Sequence, residues 1–295
     1  MNDFDSEIKG YNRVIILIVA YFSFIGVFQL VGLVASGVRN ESDLYLLATK
    51  QHLIVGIANL IGHLLLLWFF MKVIDKEPFV NIGLHFKNRI FDLISGILIG
   101  ALIMVFGYFV LKYYDGIYSP QINFDLYEII YAFFIFTIVA ITEEFLMRGY
   151  ILRNLMNSFN KYTSLAISSI LFSLFHFANP YMDLFTFFDL FLAGILLGIT
   201  YIYTKNLWFP IALHFSWNFF QSLFGFNVSG QDFYSIIDFE IKENNIFNIG
   251  DFGFEGSVFS IIIQIMLIIA IVIYYEKKQL KKSISKTSLP ANSFQ

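Results

Sequence analysis

Long apolar runs dominate the 295-residue chain and constrain its fold more than any other feature. A helix needs about 20 apolar residues to cross a bilayer, and the sequence offers eight candidate spans. They are residues 14–37, 52–73, 91–112, 127–150, 163–178, 184–203, 207–225 and 257–275. Because helices satisfy their own backbone groups in lipid, we expect an all-α fold, a polytopic membrane helical bundle with about eight transmembrane helices.

The distribution of charge predicts how this bundle is organised. Placing the N-terminus in the cytoplasm puts most of the 19 Lys and Arg residues on the inner side, as the positive-inside rule requires. The sequence therefore predicts an integral, multi-pass protein with both termini cytoplasmic. We expect one transmembrane domain over residues 1–276, with its polar core in 127–225, and a basic, flexible cytoplasmic tail at 277–295.

Composition also narrows the kinds of partner and chemistry. Only 14% of residues are charged, against about 25% in a soluble domain, so the lipid bilayer is the expected surrounding. No basic cluster alternates with aromatic residues in a polar setting, which argues against a nucleic acid partner. The chain has 0 cysteines, which excludes disulfides, thiolate metal sites and a cysteine nucleophile.

Two adjacent acids, Glu143 and Glu144, lie inside the apolar stretch 129–147. A carboxylate in hydrocarbon is expensive and needs a partner or a function. Arg148 follows Glu144 by four residues, so the two can pair on one helix face. Neighbouring residues point about 100° apart on a helix, which leaves Glu143 free. We assign Glu144 and Arg148 a supporting role and Glu143 a chemical one; the alternative is that both acids are structural.

Two later apolar segments carry His176 and His214, and Asn218 follows His214 on the same helix face. With a rise of about 1.5 Å per residue, both histidines and Glu143 reach one level within the membrane. We expect their site to open towards the cytoplasm. His63 has no acidic neighbour at helical spacing, and we interpret it as a packed histidine.

This set of side chains suits hydrolysis of an acyl bond. A glutamate in a low-dielectric site can act as a general base, and a histidine beside it can share the attacking water. A second histidine and an asparagine can donate hydrogen bonds to the oxyanion. The sequence lacks H-E-x-x-H, the common helical zinc motif.

Three motifs in order resemble the CAAX prenyl protease and bacteriocin-processing (CPBP, or Abi) family of intramembrane proteases. They are E-E-x-x-x-R at Glu143, Glu144 and Arg148, F-x-x-x-H at Phe172 and His176, and H-x-x-x-N at His214 and Asn218. The resemblance implies an intramembrane endopeptidase acting on a lipidated or hydrophobic membrane-associated peptide. Some members remove the last three residues after a prenylated cysteine.

The resemblance also implies a role for each motif residue. Glu143 and His176 would activate the water, and His214 and Asn218 would stabilise the oxyanion. Glu144 and Arg148 would shape the site.

Three alternatives remain open. Zinc could be held by Glu143, His176 and His214 with one open position, although we favour no metal and no other cofactor. A non-catalytic immunity protein that sequesters a membrane-active peptide is the second functional hypothesis. A proton-coupled transporter is the third; the crowding of polar residues into spans four, five and seven argues against it, because transporters often have two related halves.

Overall fold

A computed structural model describes residues 8–39, 47–114, 116–241, 247 and 250–287, with side chains up to residue 281. Within these residues the chain forms eight long helices. They are α1 (Gly10–Ala35), α2 (Thr49–Phe69, continued by a π-helical turn at Phe70–Ile74), α3 (Ile90–Tyr113), α4 (Leu126–Glu144, continued by Phe145–Leu152 and Arg153–Leu155), α5 (Lys161–Phe175), α6 (Leu184–Thr204), α7 (Trp208–Leu223) and α8 (Val258–Thr287).

The predicted all-α membrane bundle is confirmed. Six of these helices (α1, α2, α3, α4, α6 and α8) are long and apolar enough to cross a membrane. The other two, α5 and α7, have 15 and 16 residues and carry buried polar side chains. Helix α8 runs on to Thr287, beyond the expected end of the span at residue 275 and into the segment expected to be a flexible tail. Residues 288–295 lie outside the described part of the chain.

The connections between helices gather at two opposite ends of the bundle. The loop end contains residues 116–125, 176–183, 224–241 and 250–257, and there Asn179 donates a hydrogen bond of 3.1 Å to the carbonyl of Ser229. The basic end contains residues 8–13, 75–89, 156–160 and 205–207. There Asn206 donates to the carbonyl of His85 at 2.7 Å. Successive connections alternate between the two ends, as in a bundle of antiparallel spans.

A small sheet at the loop end departs from a purely helical fold. Strand β1 (Ile117–Ile122) pairs antiparallel with β2 (Ile237–Ile241), with an irregularity between Tyr118 and Gln121. Sequence reasoning did not predict it because β1 is short and contains Pro120, which is tolerated only at strand edges and bulges. The pairing ties the connection before α8 to the connection between α3 and α4.

Side-chain caps fix where three of the central helices begin. Asp125 accepts hydrogen bonds from two backbone N–H groups of α4, at 2.8 and 3.3 Å. Asn160 does the same for α5, at 3.1 and 3.0 Å. Before α6, Asp183 and Thr186 form a reciprocal capping box with both distances at 2.8 Å. Each cap is worth about 1 kcal/mol.

Glycines allow two pairs of helices to approach closely. Gly96 and Gly100 of α3 face α7, where a Cβ added at Gly100 would lie 2.7 Å from the backbone nitrogen of Trp217. Gly194 of α6 faces α5, where an added Cβ would lie 2.8 Å from Cα of Ser169. These contacts place α5, which ends at His176, and α7, which carries His214, against the rest of the bundle.

We expect Gly100→Ala to lower the free energy of unfolding by about 1–3 kcal/mol, because the added methyl group must push α7 away from α3. Thermal unfolding of the purified protein in detergent measures this. The matched control is Gly26→Ala on α1, where an added Cβ meets nothing within 4 Å. Equal melting temperatures for the two variants would show that the α3–α7 contact is not tightly packed.

Candidate active site

A cavity of about 250 Å³ lies between α4, α5, α6, α7 and the loop end. Its lining includes Glu143, His176, His214 and Asn218, which are the four residues that the sequence predicts to be catalytic. Residues from two helices, α4 and α7, and from the C-terminal end of α5 therefore meet at one site. The supporting pair, Glu144 and Arg148, lies buried beside it.

Helix α4 changes its geometry directly after the two acids. Residues Phe145–Leu152 are π-helical, an arrangement that is rare and frequent at functional sites. This segment includes Gly149, where an added Cβ would overlap the side chain of the buried Ile82. The close contact with Ile82 thus helps to hold the widened turn that carries Arg148.

Glu144 is the centre of a buried polar network. Its Oε1 accepts a hydrogen bond from Nη1 of Arg148 at 2.8 Å and another from Nδ1 of His214 at 2.8 Å. Arg148 also donates from Nη2 to the carbonyl of Gly194 at 3.0 Å, and its guanidinium lies 4.6 Å from the centre of the Phe172 ring. The sequence predicts the pair with Arg148. It does not predict that Glu144 also orients the His214 ring.

Glu143 is the free acid of the two. Its side chain is 30% exposed, whereas that of Glu144 is fully buried. Oε2 of Glu143 lies 3.7 Å from Nε2 of His176 and 3.9 Å from Nε2 of His214. It has no hydrogen-bond partner among the described residues. An unpaired carboxylate oxygen thus faces both imidazole rings.

His176 caps the C-terminal end of α5, and two contacts with Phe172 hold its ring. Its Nδ1 donates to the carbonyl of Phe172 at 2.8 Å, and the two ring centres lie 4.6 Å apart. A carbonyl only accepts hydrogen bonds, so Nδ1 carries the proton and a neutral His176 presents Nε2 as an acceptor. The Nε2 atom is the one directed at Glu143.

A third histidine lies near the site, with a tyrosine that sequence reasoning missed. Tyr21 of α1 lines the cavity, and its hydroxyl lies 3.0 Å from Nε2 of His63. Nδ1 of His63 donates to the carbonyl of Asn59 at 2.7 Å, so in neutral His63 the hydroxyl of Tyr21 is the donor. His63 is a hydrogen-bonded histidine, in agreement with its interpretation as a packed residue. No sequence spacing links α1 to the motifs.

The cavity lies towards the loop end of the bundle. Ser229, Gln231, Phe233 and Glu255 line it, all from the connection between α7 and α8. The sequence predicts an opening towards the cytoplasm, and the positive-inside rule would place the cytoplasm at the basic end. The loops that line the cavity come from the other end of the bundle, because α5 stops at His176 and its histidine lies at a helix terminus beside them.

The residues that the resemblance offers for zinc face one another here, namely Glu143, His176 and His214. Among the residues that the structure describes, however, no group of three His, Cys, Asp or Glu side chains fits a metal ion.

We expect Arg148→Met to lower the free energy of unfolding by about 3–5 kcal/mol, because it leaves Glu144 buried without its cation. Unfolding in detergent, followed by tryptophan fluorescence, measures the loss. The control is Arg89→Met, which breaks a partly exposed pair with Asp92 at the same distance of 2.8 Å and should cost about 1 kcal/mol or less. Similar small losses for both variants would mean that the buried pair does not hold the site together.

The site-bearing segment has a counterpart among known families. Residues 125–220 match the family model described as "Rce1-like: Type II CAAX prenyl endopeptidase Rce1-like". The matched segment contains all three motifs. A search of the curated proteins and a search of the solved structures found no match. The family match confirms the resemblance that the motifs predicted: residues 125–220, which carry the candidate active site, are similar to the type II CAAX prenyl endopeptidase family.

Proposed function

We propose that this protein is an intramembrane endopeptidase in which Glu143 activates a water molecule. Its substrate is a lipidated or hydrophobic membrane-associated peptide. One observation carries the proposal: the free oxygen of Glu143 faces Nε2 of two histidines in a cavity, while Oε1 of the adjacent acid Glu144 accepts from Arg148 and His214. A family of proteases matches the same segment.

The distances suit a water-based mechanism. A water placed about 2.8 Å from Glu143 and from His176 loses a proton to Glu143 as its oxygen attacks the scissile carbonyl carbon. Collapse of the tetrahedral intermediate breaks the carbon–nitrogen bond, and Glu143 returns the proton to the leaving nitrogen. The new carboxyl group keeps the oxygen of the water.

His214 and Asn218 complete the mechanism as donors to the oxyanion. Nδ1 of His214 already donates to Glu144, so Nε2 can donate only when the ring is an imidazolium. The carboxylate of Glu144 stabilises that form. Asn218 lies one helical turn after His214, lines the same cavity, and offers its amide N–H groups.

The remaining walls suit a hydrophobic substrate. Apolar side chains of α4, α6 and α7 surround the polar centre, as in most ligand sites. They include Leu146, Met147, Leu190, Ala193, Leu196, Leu197 and Leu213. A peptide with an apolar chain or a lipid group would bury that surface while its backbone reaches Glu143.

The first prediction for this function concerns Glu143→Gln, which keeps the shape of the side chain and removes the base. Membranes from cells that express the wild type should contain a shortened peptide, and its intact precursor should accumulate with the variant. Mass spectrometry of membrane peptides measures both species. The melting temperature of Glu143→Gln should equal that of the wild type, which would show that the substitution leaves the fold intact.

The outcome of that experiment also separates the enzyme from a binding protein. A non-catalytic immunity protein would give the same peptide profile with Glu143 or Gln at this position, and any resistance to a membrane-active peptide would persist. That result would replace the protease proposal with the binding one.

We propose further that the basic end is cytoplasmic, as the positive-inside rule favours, so the cavity faces the extracytoplasmic side. The chain has 0 cysteines, which makes single-cysteine labelling direct. With a membrane-impermeant maleimide, Gln231→Cys should react on intact cells, and Lys87→Cys only after permeabilisation. Both residues are exposed in the structure, at opposite ends. The reverse labelling pattern would contradict this orientation.

The proposed mechanism also predicts that chelators leave peptide cleavage unchanged. The purified protein should keep its activity after prolonged treatment with 1,10-phenanthroline or EDTA, because no step uses a metal. Loss of activity that added zinc restores would favour the zinc site of Glu143, His176 and His214 instead.

A further inference from the structure

A second group of polar side chains lines the cavity, apart from the four proposed catalytic residues. Glu255 precedes α8, and Gln264 lies within α8. Both are almost completely buried, with Glu255 5% and Gln264 0% exposed. They lie outside the matched segment 125–220, so the family match assigns them no role.

The amide of Gln264 is fixed by its neighbours. Its Nε2 donates to Oδ1 of Asp189 at 2.9 Å and to Oγ of Ser260 at 2.8 Å. The amide nitrogen must therefore face Asp189, which leaves the carbonyl oxygen as an acceptor. That Oε1 atom is buried and has no donor among the described residues. A buried acceptor without a donor is costly, and this one belongs to a residue that lines the cavity.

Glu255 is a buried acid that is held by hydrogen bonds. Its Oε2 accepts hydrogen bonds from the backbone nitrogen and the hydroxyl of Ser229, at 2.9 and 3.0 Å. In the described part of the chain no Lys or Arg forms an ion pair with it. Burial raises the pKa of Glu255, and hydrogen bonds from Ser229 together with the positive charge of protonated His176 and His214 oppose that rise. Asp189, also fully buried, adds a second acidic side chain nearby.

The position of Glu255 is set by packing of the neighbouring residue against α7. The preceding residue, Phe254, is fully buried, and its ring centre lies 6.0 Å from that of Trp217 on α7. Gly253 adopts φ 100°, a conformation that glycine adopts without strain. The segment is thereby held against α7, which carries His214 and Asn218.

From this arrangement we infer that Glu255 and Gln264 form a subsite for a cationic group of the peptide substrate, an ammonium or a guanidinium. The inference rests on the proposed protease function. The site offers the unpaired carbonyl oxygen of Gln264 and the carboxyl group of Glu255 as acceptors. An ammonium or a guanidinium has only donors and a positive charge, which favours the ionised form of the carboxyl group beside it. A Lys or Arg stem can cross the apolar walls and place its charged head beside Glu255. A free peptide N-terminus carries the same chemistry.

The test uses the peptide that accumulates with Glu143→Gln, resynthesised in several forms. In each peptide one position near the cleavage site carries Lys, Arg, norleucine or Gln. Every peptide is made with a free and with an acetylated N-terminus. With the wild type, a cation at one position should raise kcat/KM about tenfold over norleucine, the scale of a charge-assisted hydrogen bond. If acetylation alone removes the advantage, the cation is the N-terminus.

Glu255→Gln should abolish this preference, so that the variant cleaves the cationic and the norleucine peptides with equal kcat/KM. Glu255→Asp keeps the charge and should retain part of the preference. The matched control is Glu240→Gln, which removes an exposed acid of β2 and should change nothing. Equal kcat/KM for cationic and neutral peptides with the wild type would overturn the subsite and leave the protease function intact.

If no peptide is cleaved, the result counts against the protease function. A binding measurement then tests the subsite independently of cleavage. Thermal stability of the wild type and Glu255→Gln is compared in detergent with dodecylguanidinium and with neutral dodecylurea. Greater stabilisation of the wild type by the guanidinium supports the subsite. Equal shifts for both proteins would overturn it.

Discussion

The buried ion pair between Glu144 and Arg148 is the contact on which the candidate site depends. Through one carboxylate oxygen and one guanidinium it joins α4 to the His214 ring on α7, to the Gly194 carbonyl on α6 and to the Phe172 ring on α5. Burying two charges is expensive, and such a pair is often no more stable than an apolar replacement. In this structure the pair fixes the geometry of the site, because it engages Glu144 and leaves Glu143 facing both histidines.

Contacts between helices and the caps at their ends fix where this network lies along the bundle. Close glycine contacts hold α7 against α3 and α6 against α5, while caps begin α4, α5 and α6 at definite residues. At the basic end, Asp75 accepts from Arg13, Arg153, Tyr150 and Asn154, which joins α1, α2 and the end of α4. The cavity lies at the other end, where α5 stops and the connection to α8 folds inwards. The Asp75 network and the cavity thus lie towards opposite ends of the bundle.

Local spacing explains which features could be predicted. The i,i+4 relation predicts the Glu144–Arg148 pair, and the apolar runs predict the helices, since both depend on residues close in sequence. The Glu144–His214 hydrogen bond joins residues 70 positions apart, and no pattern along the chain encodes it. The same holds for the Tyr21–His63 pair, the pairing of β1 with β2, and the approach of Glu255 and Gln264 to the cavity. The end at which the cavity lies depends on the point where α5 stops, which an apolar run locates only approximately.

The central claim is that Glu143, His176, His214 and Asn218 work as one catalytic unit, and a double-mutant cycle tests it most directly. The kcat/KM for one cleaved peptide is measured for the wild type, Glu143→Gln, His176→Ala and the double variant. Residues that activate the same water have strongly non-additive effects, so the double variant should be no slower than the slower single variant. Losses that multiply would contradict the account, because they would mean that Glu143 and His176 act in separate steps or at separate places.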